Sequence, residues 1–281
     1  MFLDTRRRTC EIQFSQILTF TATTSLPTPE DSFRHSTFLS KVRRRQLRKT
    51  AVQNHPSWRS QKLKDWASST SSSLILVKGS CLTRHETKDF ATDLVALLRT
   101  MKIPVAWTLS AKAAGSIGWR SPVDVLKQLV LQVLHLNQAL LLEQSPALNA
   151  ARFQSATTES DWFGLLALVL RGLPQIFIAV DAEILNREFS SELSWPEAFL
   201  GVFQDLQTTS PTTTVKVVLV SFGASPYLSS ETSSLENVTL RIEKDRRPGS
   251  AMVRKQHFRS FSRNQGAEAL RPFLTRPKGG L

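Results

Sequence analysis

Cysteine is nearly missing from this 281-residue chain: Cys10 and Cys81 are its two copies. Two such distant thiols exclude a disulfide framework and a cysteine-based metal cluster, and a reducing compartment follows as the default. Uninterrupted hydrophobic runs are lacking too. The longest apolar stretch, Phe163 to Val180, is broken by Arg171, Pro174 and Gln175. It reads as helix end, turn and strand rather than a membrane span, so no membrane is expected as a partner. Arg6-Arg7-Arg8 follows the first residues with no apolar core of signal-peptide length. The five histidines, His35, His55, His85, His135 and His257, show no ligand spacing. Gly-x-Ser-x-Gly, paired catalytic carboxylates and Cys/His nucleophile arrangements are absent as well.

Acidic residues are scarce at both ends. The formal charge is +13, of which residues 1–60 carry +7, residues 61–244 carry −1 and residues 245–281 carry +7. The excess therefore belongs to the flanks. Residues 1–56, with Pro27, Pro29 and the run from Lys41 through Arg43, Arg44, Arg45 and Arg48 to Lys49, are expected to be weakly ordered, with one short element around 12–20. Residues 245–281 are expected to be a basic, disordered tail. The 41–49 run is open to three readings: a solvated flank, a nuclear-import signal, or a patch for an anionic partner. Phe258, Phe261 and Phe273 among the tail's arginines admit stacking on single-stranded nucleic acid.

Between the flanks, apolar strands alternate with amphipathic helices. Strands are read near 74–78, 104–109, 176–181, 215–221 and 238–242. Helices are read over 58–66, from Thr83, from Ser121-Pro122, over 158–173 and over 196–207. Near-continuous apolar strands such as Ile176–Val180 fit burial on both faces. The fold class is therefore α/β, a parallel sheet of about five strands with helices on both faces, occupying 57–244.

Ser73-Leu74-Ile75-Leu76-Val77-Lys78-Gly79 is a strand that stops at glycine just before a helix, the setting of a phosphate-binding loop, G-x-x-x-x-G-K-[ST]. Counted from Gly79, however, the second glycine slot holds Arg84, the lysine slot His85 and the hydroxyl slot Glu86. Phe177-Ile178-Ala179-Val180-Asp181-Ala182-Glu183 has the form of a Walker B strand, whose carboxylate holds Mg²⁺. Two explanations bear on these residues. Thr83-Arg84-His85-Glu86 is a T-x-x-E capping box, in which Glu86 reaches back to the Thr83 amide and the helix no longer needs a phosphate. Alternatively Lys88, almost one turn beyond the lysine slot, leans back toward an anion. Asp181 likewise is either a metal ligand, with Glu183 beside it, or a strand-ending carboxylate bonded to loop amides.

In order and spacing, residues 57–244 resemble the NACHT-type, STAND-class P-loop NTPase domains abundant in filamentous fungi. The matching pieces are a Trp-containing helix before Leu74–Val77, Val105-Ala106-Trp107 at the second strand, Leu126–Leu134 in the helix after it, the Walker B strand, and Val215–Ser221 at the sensor 1 strand. The resemblance implies a five-stranded fold with Leu74–Lys78 central, between the strand ending at Ser221 and that near 238–242. It also implies vestigial nucleotide-binding positions at Gly79, Ser80, Lys88, Asp181 and Glu183. The sensor strand of the family ends in Ser-Arg, whereas here Phe222 follows Ser221.

These observations carry three expectations. The first is a non-catalytic interaction or regulatory module in the cytoplasm, acting with protein partners or by self-association and needing no cofactor. The second is an atypical NTPase holding Mg-ATP with Asp181, Glu183 and the displaced Lys88. The third is a protein associated with nucleic acid, in the nucleus, through its tails.

Overall fold

The computed structural model describes residues 12, 14–21, 27–47, 56–110, 121–137, 140, 149–185, 193–222, 226–228, 238–242 and 270–274. Five strands, β1 (Ser73–Gly79), β2 (Val105–Thr108), β3 (Gln175–Asp181), β4 (Thr214–Phe222) and β5 (Thr239–Ile242), form one sheet. Its order is β2-β3-β4-β1-β5, with every pair parallel. β1 lies between β4 and β5, the central place expected for Leu74–Lys78, and β3 neighbours β4.

Parallel strands require crossover helices, and these cover both faces. In chain order the helices are α1 (residues 14–21), α2 (Pro29–Leu47), α3 (Gln61–Ser68), α4 (Arg84–Thr100), α5 (Pro122–Leu136), α6 (Ala150–Ser155), α7 (Glu159–Leu170), α8 (Trp195–Thr209) and the single turn α9 (Arg271–Leu274). Side chains alternate along each strand. Leu74, Leu76, Ile176, Ile178, Val180, Val217 and Leu219 join a core with α5, α7 and α8. Ile75, Val77, Phe177, Ala179, Val218 and Val220 join a second core with α3 and α4. Both faces being covered explains why the strands read as unbroken apolar runs.

Local sequence sets the helix limits. Pro122 and Pro196 stand in the first turns of α5 and α8, where their missing N–H groups cost nothing. At α7, Thr158 and Asp161 cap one another reciprocally, and the chain leaves the helix through Gly172 at φ 79°. Leu136 and Leu200 are 44% and 41% exposed. Leu136 is the last residue of α5, and Leu200 stands about 100° round α8 from the buried Phe199.

Two features are unusual for such a sheet. Lys216, in the middle of β4, is fully buried, its ammonium donating to the Ser71 carbonyl at 2.8 Å and the Ser73 hydroxyl at 2.9 Å. Edge strand β2 is closed by a side chain: Gln132 of α5 accepts from the Trp107 N–H at 3.0 Å and donates to the Trp107 carbonyl at 2.9 Å.

Where the flanks are described, they form helices. α2 spans nineteen residues and docks along α4. Charge draws it there, since Arg43 pairs with Asp89, Arg44 with Asp93 and Glu30 with Arg99. In the tail, Leu270, just before α9, and Leu274, its last residue, are buried in the second core, the Leu274 N–H donating to the Leu270 carbonyl at 3.2 Å. Arg48, Lys49, Phe258 and Phe261 lie outside the described residues. No described helix is long and apolar enough to cross a membrane.

Candidate functional site

The C-terminal ends of β1, β3 and β4 meet at one edge of the sheet, where open parallel sheets bind ligands. Gly79 is in register with Phe222, and Asp181 with Val220. Gly79 is glycine for a steric reason: a Cβ there would sit 2.1 Å from Thr87 Oγ1.

The loop after Gly79 closes on itself. Cys81–Thr83 form a single 3₁₀ turn before α4. The Ser80 N–H donates to Thr83 Oγ1 at 2.8 Å, and Thr83 Oγ1 donates to the Ile242 carbonyl at 3.0 Å, tying the loop to β5. The capping box therefore lies three residues earlier than the sequence suggests, between Ser80 and Thr83. The Thr83–Glu86 box is not formed: the Thr83 amide already donates to the Ser80 carbonyl at 3.0 Å, and the Thr83 hydroxyl makes no cap to α4. Thr87, next to the hydroxyl slot, donates back to the Thr83 carbonyl at 2.7 Å.

Asp181 ends β3 and is almost fully buried. Its Oδ1 accepts from the Glu183 N–H at 3.1 Å and its Oδ2 from the Ser110 N–H at 3.3 Å. The reading of a strand-ending carboxylate bonded to loop amides thus describes its contacts. Burial pushes its pKa up to about 6; Lys88 opposes that rise and Glu183 adds to it.

Glu183, two residues further, takes the cations. Lys88 Nζ lies 2.6 Å and Arg84 Nη2 3.1 Å from Glu183 Oε2. Lys88 also donates to Ser110 Oγ at 3.3 Å. The Arg84 guanidinium stacks over the Phe222 ring, 4.4 Å from its centroid. Arg84 therefore bridges Glu183, after β3, and Phe222, at the end of β4.

The structure brings Lys88, Asp181 and Glu183, read from the sequence as candidate site residues, to the same end of the sheet as Gly79 and Ser80. The contact between Arg84 and Phe222 was not foreseen, since the two lie 138 positions apart in the chain. Ser110 had no signal at all.

Between α2 and α4 lies a cleft of about 220 Å³, lined by Ser36, Leu39 and Arg43 on one side and Arg84, Lys88 and Asp181 on the other. The basic run does not form one patch. Lys41 and Arg45 are exposed, whereas Arg43 and Arg44 turn inward to Asp89 and Asp93.

Mg-nucleotide does not fit the arrangement as it stands. The Ser80 amide is engaged within its loop, both Asp181 oxygens accept from amides, and Glu183 is neutralised by two cations. Among the described residues no group of three or more His, Cys, Asp or Glu is placed to hold a metal ion. Comparison with protein-family models, with curated proteins and with solved structures finds no match for this chain.

Proposed function

We propose that the chain is a P-loop-like domain of NACHT type that has given up nucleotide turnover and works as an interaction or regulatory module in STAND-type signalling. One observation carries this reading: Arg84, from the second glycine slot, binds Glu183 and stacks on Phe222 from the sensor position. Three departures from a nucleotide site thus support one another. A phosphate arriving there would meet a cation already neutralised, and Mg²⁺ would have to displace Lys88 and Arg84 from Glu183. Protein partners or a second copy are the expected ligands, in the cytoplasm, with nuclear placement left to the 41–49 run.

The second reading, Mg-ATP binding with a displaced lysine, is favoured by the reach of Lys88 to Glu183 and into the cleft. Calorimetry of the full chain with ATP, with and without Mg²⁺, separates the two. Our reading expects no measurable binding by wild type. Micromolar binding abolished by Lys88→Ala would replace it with the second. The triple change Arg84→Gly, His85→Lys and Glu86→Thr is expected to create Mg-ATP affinity, since it rebuilds the loop and frees one side of Glu183. Hydrolysis stays absent, because Phe222 leaves the sensor position uncharged.

A further inference from the structure

α2 packs in an unusual way. Of its described side chains, the buried ones are Ser32, Ser36 and Ser40, one per turn along a single stripe. Its described apolar residues are half-buried or exposed, Phe38 being 62% exposed. The hydrophobic term that ordinarily fixes a surface helix is therefore small here.

Its polar contacts divide into two groups. At its start, the Pro29 carbonyl accepts from Trp107 Nε1 at 3.0 Å, and the Arg99 guanidinium lies over Phe33 and Trp107 while pairing with Glu30 at 3.0 Å. Toward its end, Arg43 and Arg44 clamp Asp89 and Asp93. Docking also has costs: Thr37 Oγ1, Ser40 Oγ and Arg43 Nε are buried without a hydrogen-bond partner. Burial raises the Asp93 pKa against the pull of Arg44. Each of these groups regains water when the helix leaves.

We infer that α2 is a releasable strap, held by charge over α4 and the mouth of the cleft, which opens while the sheet remains folded. Release removes Ser36, Leu39 and Arg43 from the cleft wall and bares two acidic residues of α4, Asp89 and Asp93. That surface suits a basic helix, and α2 is its occupant in cis. The strap supplies a switch for the interaction module proposed above and rests on that reading for its purpose, not for its existence.

Hydrogen exchange on the full chain, without nucleotide, tests it whichever way the ATP experiment falls. At low salt, amides of residues 29–47 are expected to exchange faster than those of β3 and β4, by local opening. Raising NaCl from about 0.05 to about 1 M should speed exchange in α2 by about tenfold with the sheet unchanged, as charge pairs are screened. Arg43→Gln with Arg44→Gln should reproduce that pattern at low salt. If α2 exchanges only at the rate of the sheet, in wild type and in the double variant alike, the strap is part of the core and the inference fails.

Discussion

Lys216 is a charge held inside a sheet by two oxygens and no described carboxylate, and its energetic signature is distinctive. Burial lowers its pKa from 10.5 to about 8. Between those values the unfolded chain holds a proton that the folded chain has released, so stability rises with pH across that window. The shift corresponds to about 3 kcal/mol. Lys216→Met is expected to equal or exceed wild type in stability at neutral pH, an advantage that shrinks above pH 8; urea unfolding across pH measures it. Asp181 has the opposite sign. The folded chain keeps its proton up to about 6, against an ordinary 3.8, so ionisation lowers stability as pH rises through that interval. Asp181→Asn should flatten that decline. Thr83→Ala strands the Ser80 N–H and the Ile242 carbonyl and should cost about 1–3 kcal/mol. Glu86→Gln should lose only its charge near the helix start, about 0.3–1 kcal/mol. Of these residues Asp181 was singled out from the sequence, because it closes an apolar strand, and its bonds to the Glu183 and Ser110 amides match one of its two readings. Lys216 was not: in Val215-Lys216-Val217-Val218 nothing local announces that its ammonium finds Ser71 and Ser73.

At the scale of elements, β1 and α4 are fitted to each other through one missing methyl. Gly79→Ala would drive its Cβ into Thr87 Oγ1 and is expected to destabilise by about 1–3 kcal/mol. Thr87→Ala removes that oxygen, so the double variant should cost less than the sum of the singles. A coupling of about 0.5–3 kcal/mol in thermal unfolding would express it. Strands and crossover helices were readable because apolar periodicity is a local property. The capping box was displaced by three residues because Thr83 is claimed by Ile242, a partner 159 positions away. α2 was missed for the same reason, since Arg43 and Arg44 find their carboxylates on another helix. A basic run of this composition reads as solvated until its neighbours are known.

For the whole molecule, alternation of strand and helix sufficed to give a parallel sheet, and strand order followed from the resemblance. The flanks were harder, because Leu270 and Leu274 carry too short a pattern to mark their return to the core. The outer boundary at β2 has its own meaning for assembly. Gln132 presents one acceptor and one donor to Trp107 in the places a neighbouring peptide group would take. An amide side chain thus impersonates the next strand, and the rung is spent before any stranger arrives. Two copies of this protein meeting there would have to break a pairing before making one. Association through β2 is therefore steered away from continuous, fibre-like sheets and toward closed contacts between side chains.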